Sequence, residues 1–132
     1  MPWRAESRAD RKGVIASLTP LERRAHLENA QHLFNAREYW LAHEALETVW
    51  RSIIEESERR AWQGLIQAAA ALLHRERGNR HGVVVVGAAA LEKLSGPQHP
   101  AIEFDMIPFR ATLARALAGE GDLPRLELRT DV

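Results

Sequence analysis

Residues 61–73 read AWQGLIQAAAALL, a stretch of thirteen residues that carries no charged side chain. A helix that is apolar or small on every side is typical of the buried centre of a helical bundle. Gly64, Ala68 and Ala71 share one face of such a helix, so a neighbouring helix could approach closely there. The stretch therefore predicts a central helix around which the rest of the chain packs.

Four further helices are predicted around this one. Thr19 and Glu22 form a capping box and Pro20 suits the first helical position. In the next segment the apolar positions fall in one sector about 100° wide, which is typical of an amphipathic helix against a core. Ser57 is expected to cap the central helix. The predicted helices cover about residues 20–35, 37–54, 58–77, 81–95 and 105–118.

These segments predict an all-α, compact single-domain bundle of about five helices. Residues 83–86 are four valines that favour a strand on propensity alone. The following Gly-Ala-Ala-Ala-Leu run favours one continuous helix instead. We expect a loosely ordered arm over residues 1–18, the bundle over 19–119 and an extended tail over 120–132.

The composition excludes several classes of function. The 132 residues hold 18 basic and 18 acidic side chains, a formal net charge of zero, and no cysteine. Charge balance argues against the basic field expected of a protein that binds nucleic acid or anionic lipid. Without cysteine there is no thiolate ligand, thiol nucleophile or redox pair. Since no apolar stretch could span a membrane and no secretory pattern is present, we expect a cytoplasmic protein.

One short motif could carry chemistry. Residues 43–47 read HEALE, which differs at one position from the zincin motif HExxH. In a zincin the two outer side chains share a zinc ion and the glutamate between them activates water. His43 and Glu47 share a helix face here, so they are candidate metal ligands and Glu44 is a candidate catalytic base. Nothing downstream has the spacing of a zincin's third ligand, which excludes a protease of that class.

A second polar stripe lies on the central helix. Gln63, Gln67 and His74 project within about 40° of one another, and Ala70 leaves room between them. Buried polar groups without partners cost about 1–3 kcal/mol each, so these side chains need partners on the preceding helix. The resulting pocket is expected to consist of Trp40, His43, Glu44, Glu47, Gln63, Gln67 and His74.

Two functions stay open for this cluster. The favoured one is a binding or self-association module of unknown partner, in which the polar residues form a buried network that fixes the helix register. The alternative is a mononuclear metal-binding protein or metal-dependent hydrolase. In that case His43, Glu47 and His74 hold a divalent transition metal and Glu44 acts as base. No nucleic acid and no membrane partner is expected, and a homodimer is a candidate assembly.

Other aromatic and basic residues are expected to have structural roles. Trp40, Trp50 and Trp62 are expected to anchor the core. Arg23 and Arg59 belong to basic pairs interleaved with acids, a pattern typical of solvated faces.

The motifs together resemble a known family. The run from Phe34-Asn35 through Tyr39-Trp40 and Ala42–Glu47 to Trp50-Arg51, followed by Gln63–Gln67 as QGLIQ and by Gly78-Asn79, resembles the domain of unknown function 309 family. The resemblance covers roughly residues 30–95. It implies a compact helical bundle and no assigned activity. Most of the polar residues identified above lie within the matching segments.

Overall fold

The fold, described for residues 17–130 in a computed structural model, is built from helices joined by short loops. Within the described residues there are five helices and no strand, which confirms the all-α prediction. The predicted N-terminal arm lies almost wholly outside the described residues. None of the five helices is long and apolar enough to cross a membrane. The helices are α1 (Pro20–Asn35), α2 (Tyr39–Trp50), α3 (Glu56–Glu76), α4 (Arg80–Lys93) and α5 (Met106–Leu117).

Helix starts follow the local chemistry of the chain. The capping box at α1 is confirmed, because the Thr19 hydroxyl accepts from the Glu22 N–H and the Glu22 carboxylate accepts from the Thr19 N–H. The predicted Ser57 cap of α3 is wrong. Glu55 caps this helix instead: its carboxylate accepts the backbone N–H groups of Ser57 and Glu58. The Ser57 hydroxyl is itself a donor to Glu55, at 2.7 Å.

Helix α3 is the centre of the bundle, as its uncharged sequence predicts. It packs against α2 on one side and α4 on the other, and it also contacts α5. The α3–α4 contact is close because both helices present small residues. A Cβ added at Gly64 would lie 3.0 Å from atoms of Leu94 and Lys93, and one at Gly87 would lie 2.9 Å from Leu117 and 3.9 Å from Ala71. The four valines lie within α4, so the helix prediction for that segment is confirmed.

Helix α2 buries the face that its periodicity indicates. The predicted stripe consists of five residues of α2 and one just after it, and each is less than a tenth exposed: Tyr39, Ala42, Leu46, Val49, Trp50 and Ile53. They contact a core that includes Phe34 of α1 and Phe109 of α5, whose rings pack edge-on at 5.5 Å. The hydrophobic stripe therefore positions α2 and fixes which of its side chains face outward.

The tail after α5 is extended and is held by side-chain amides of α1. Asn35 exchanges two hydrogen bonds with the backbone of Leu126, at 2.8 and 2.9 Å, and Gln31 accepts from the Leu128 N–H. Leu128 also forms an isolated antiparallel bridge with Phe104. Leu126 is fully buried, so the tail completes the core on this side.

Candidate functional site

The predicted site residues lie along the seam between α2 and α3. These helices follow each other through a short turn and run antiparallel. At one end Trp50 and Gln63 line the same cleft, and at the other Arg37 pairs with Glu76 at 3.0 Å. Both pairings correspond to one antiparallel register, in which Ala70 lies at about the level of His43.

This register spreads the predicted pocket along the helix axes. At about 1.5 Å per residue, Gln63 and His74 are about 16 Å apart along α3. His74 is level with Tyr39, about 6 Å from the level of His43 and about 12 Å from that of Glu47. The predicted pocket residues therefore do not surround one point.

The three predicted metal ligands are not brought together. Within residues 17–130 no group of three or more histidine and acidic side chains is arranged to hold a metal ion. His43 and Glu47 do approach each other, with 3.8 Å between Nε2 and Oε2. The ring of His74 packs against Gly82 instead, and its Nδ1 lies 3.1 Å from the amide of Asn79. The metal site therefore stays a prediction, with two adjacent donors in place of three.

Glu44, the predicted base, lies on the exposed side of α2. Its backbone carbonyl accepts the Thr48 hydroxyl at 3.2 Å, and its carboxylate makes no hydrogen bond or ion pair with the described residues. A role for Glu44 in catalysis stays a prediction as well.

Trp40 is the most exposed aromatic side chain of this region. Its exposed fraction is 53%, so the prediction of a core anchor is wrong for Trp40, while it is confirmed for Trp50 and Trp62. The reason is helical geometry: Tyr39 faces the core, and the next residue turns about 100° away from it. The Trp40 indole stacks on the His43 ring, with centroids 5.1 Å apart and planes 12° apart. The seam thus presents an oriented indole to solvent.

The hydrogen bonds of the predicted polar network are not formed. His43 Nδ1 and Gln67 Oε1 are both buried and neither has a hydrogen-bond partner among the described residues. By the register above, they lie within about one helical turn of each other along the axis. Most buried polar atoms in proteins have a hydrogen-bond partner, so these two atoms show that the hydrogen-bonding capacity of the seam is not fully used.

Among the predicted pocket residues, Gln63 lines a large cleft formed by the described part of the chain. This cleft measures about 570 Å³ and lies between the end of α2 and the start of α3. A second cleft, of about 340 Å³, lies between the first turns of α3 and the loop that follows α4. No local sequence pattern indicates the second cleft, because its walls come from segments some forty residues apart, such as Ser57 and His99.

Ser57 and His99 touch in this second cleft but do not form a nucleophile and base. The Ser57 hydroxyl lies 3.0 Å from His99 Nε2, while the Ala101 N–H donates to His99 Nδ1 at 3.1 Å. Because Nδ1 accepts this hydrogen bond, the proton of a neutral imidazole is on Nε2. The Nε2–H group then donates to the Ser57 hydroxyl. The Ser57 hydroxyl donates in turn to Glu55. A serine nucleophile needs the opposite arrangement, with an unprotonated ring nitrogen facing it.

Two arginines expected on solvated faces have specific partners, so that prediction is wrong for them. Arg23 is half-buried and pairs with Glu58 at 3.1 Å and with Glu103 at 2.7 Å. Arg59 lies over the Trp50 ring at 4.3 Å and donates to the Ile53 carbonyl at 2.8 Å. The partners of Arg23 are 35 and 80 residues away along the chain, so local charge patterns could not reveal them.

Comparison with known sequences confirms the family resemblance. Residues 27–86 match the family described as domain of unknown function (DUF309). An "Uncharacterized protein" of Aquifex aeolicus (strain VF5) is 34% identical over 87 residues, which cover 64% of this chain and 26% of that protein. The "Uncharacterized protein YpuF" of Bacillus subtilis (strain 168) is 31% identical over 80 residues, 61% of this chain and 45% of that protein. This chain therefore matches less than half the length of either relative. No solved structure matches significantly.

Proposed function

We propose that this chain, whose residues 27–86 match the domain of unknown function 309 family, is a protein-interaction module in which Trp40 is the anchor. The observation that carries the proposal is the indole itself, half exposed and stacked on His43. Tryptophan is enriched among the few interface residues that supply most of the binding free energy.

The side chains beneath the indole support an anchoring role. His43 is only 20% exposed at its side chain and its Nε2 lies 3.8 Å from Glu47 Oε2, so the ring beneath the indole is packed into the seam. A side chain that is already oriented loses less conformational entropy when a partner binds. In this proposal the HEALE motif holds a recognition residue in place, with His43 supporting Trp40 and Glu47 placed next to His43.

The surface around Trp40 suits a partner of mixed character. Leu41 is 45% exposed, and Glu44 lies one helical turn beyond Trp40 on the outward side of α2. An aromatic and aliphatic centre with charge at its edge is the usual anatomy of an interface patch.

Site-specific photocrosslinking in cells tests this proposal. A photoreactive amino acid placed at Glu44 leaves Trp40 intact and lies beside it. The matched control carries the same group at Leu21, which is 81% exposed on α1. We expect a discrete adduct from position 44 that is missing from position 21 and disappears when Trp40→Ala is added. An adduct of twice the 14.9 kDa mass of the chain would identify a second copy as the partner.

Either of two results would contradict this proposal. Identical adducts from positions 44 and 21, or an adduct at position 44 that survives Trp40→Ala, would show that the indole is not an anchor. Circular dichroism of the Trp40→Ala variant checks that the fold is retained, which we expect because the side chain is half exposed.

A further inference from the structure

The two clefts described above meet at a pair of basic side chains. Arg60 of α3 and Lys93 of α4 line both the cleft of about 340 Å³ and the cleft of about 570 Å³. Volumes of this size are in the range of small-molecule sites, about 300–1,000 Å³. This position is separate from Trp40, and nothing in the proposed interaction surface depends on it.

Lys93 is a half-buried cation with no acidic partner in the part of the chain the structure describes. It ends α4, where the close α3–α4 contact brings its Cβ near Gly64. Its neighbour Glu92 pairs with Arg60 at 3.4 Å and is largely exposed. A cation partly removed from water is stabilised by an anion close to it, so this ammonium favours an anionic ligand.

The charged side chains of the two clefts also favour an anionic ligand. Their walls carry three cationic side chains, Arg59, Arg60 and Lys93, against two carboxylates, Glu56 and Glu92. Arg59 is already engaged with the Trp50 ring and with a carbonyl at the end of α2. Arg60, whose pairing with Glu92 is open to solvent, and Lys93 are therefore the groups placed to receive an anion between the two clefts.

The remaining walls include apolar surface and differ on the two sides. Ile54, which is 80% exposed, belongs to the larger cleft, whereas Ala61, Pro97 and Pro100 belong to the smaller one. Such surfaces bind the hydrocarbon part of a ligand, while a few polar groups fix its orientation. A purely inorganic ion would leave these apolar walls unused.

We propose that Arg60 and Lys93 bind a small amphiphilic anion, with its carboxylate or phosphate head between the two side chains and its apolar body in an adjoining cleft. Arginine can contact either head group with two parallel hydrogen bonds, and lysine supplies a second positive charge. The site recognises the negatively charged oxygen atoms that both head groups share.

The chain offers a clean probe of this site, because it contains two lysines, Lys12 and Lys93. In protein made with isotope-labelled lysine, nuclear magnetic resonance gives one set of side-chain signals for each. We expect the Lys93 signals to shift saturably on titration with hexanoate or phenyl phosphate, while those of Lys12 stay in place. Whichever of the two anions binds identifies the head group. Hexanamide has the same apolar body without the charge and should produce no saturable shift.

Substitutions test whether Arg60 and Lys93 are the residues that bind the anion. Calorimetric titration with the same anions should show at least about tenfold weaker binding in Lys93→Gln and in Arg60→Gln, the loss expected for one charge-assisted hydrogen bond. Arg80→Gln is the matched control, since it removes one positive charge from an exposed position at the other end of α4. Two independent variants keep the test decisive should one of them fold poorly.

Three results would overturn the proposal. The first is equal shifts of the Lys12 and Lys93 signals. The second is binding of hexanamide as strong as that of hexanoate. The third is an affinity of Lys93→Gln and Arg60→Gln for the anions that equals the affinity of Arg80→Gln. The interaction module is tested by crosslinking at Glu44, so failure of one proposal leaves the other standing.

Discussion

Helix α3 has two long contacts that are built in opposite ways. Towards α4 it presents Gly64 and Ala71, and the two backbones approach until an added Cβ would touch its neighbours. Towards α2 it presents Gln67, whose buried oxygen has no partner among residues 17–130. The first contact gains its stability from close packing, and the second retains polar groups that packing alone would remove. The α3–α4 contact therefore determines how the bundle is packed, and the α2–α3 seam is less tightly constrained.

The largest effect is expected from a substitution at the tight contact. Gly64→Val places methyl groups where a Cβ already lies 3.0 Å from Leu94 and Lys93, so the helices must separate. Overpacking of this kind costs about 1–3 kcal/mol, which corresponds to a fall in melting temperature of about 5–10 °C for a domain of this size. Thermal unfolding followed by circular dichroism measures it. Ala88→Val, on the exposed face of α4, is the control, and an equal melting temperature for both variants would contradict close packing as the source of stability.

A smaller effect, confined to alkaline pH, is expected at the end of the seam. Burial raises the pKa of the Tyr39 phenol, and the negative charge of Glu76 acts in the same direction. The folded state then keeps a proton that the unfolded chain loses above about pH 10. Stability from Tyr39 is therefore complete below that pH and falls as the pH rises through the folded-state pKa.

Tyr39→Phe should remove this part of the alkaline loss. Urea unfolding at about pH 8 and about pH 11 compares the two proteins. Since the chain has one tyrosine, the ultraviolet absorbance of tyrosinate reports Tyr39 directly. A phenol that ionises at its ordinary pKa, or parallel losses in the wild type and Tyr39→Phe, would show that this end of the seam is open to water.

The contrast between the two faces also explains what could be predicted from the sequence. The tight face follows from residue size alone, because Gly64 and Ala71 recur on one side of the uncharged stretch of α3. The capping box at Thr19 and the buried stripe of α2 are likewise local patterns. Each of these depends on residues within one or two turns of one another.

The seam was predicted less well, for a geometric reason. Projection angles placed Gln63, Gln67 and His74 on one face, but an angle carries no information about distance along the axis. Only the antiparallel register shows that His74 is level with Tyr39 rather than with His43. Pairings across the fold, such as Arg23 with Glu103, depend in the same way on tertiary structure.

A modest gain in stability is expected from repairing the seam. Gln67→Met keeps the length of the side chain and removes a buried oxygen that has no partner among the described residues. Replacing an unsatisfied polar group by an apolar one should add about 1 kcal/mol, or a few degrees of melting temperature. Gln63→Met is the matched control, because Gln63 lines an open cleft where water reaches its amide. A lower melting temperature for Gln67→Met would mean that a bound water satisfies this oxygen in solution.

The smallest effect is expected from added metal. His43 and Glu47 supply two donors 3.8 Å apart, whereas structural and catalytic zinc sites use three or four protein ligands. Weak binding by two donors adds little to folding stability, since the gain depends on the ratio of metal concentration to Kd. Zinc or manganese added to chelator-treated protein should therefore shift the melting temperature by less than about 1 °C. Ala70→His places a third donor level with His43 and should introduce a zinc-dependent increase, which would verify the register of the seam. Stoichiometric metal in the purified wild type, with a rise of several degrees, would instead show that the two helices rearrange around an ion.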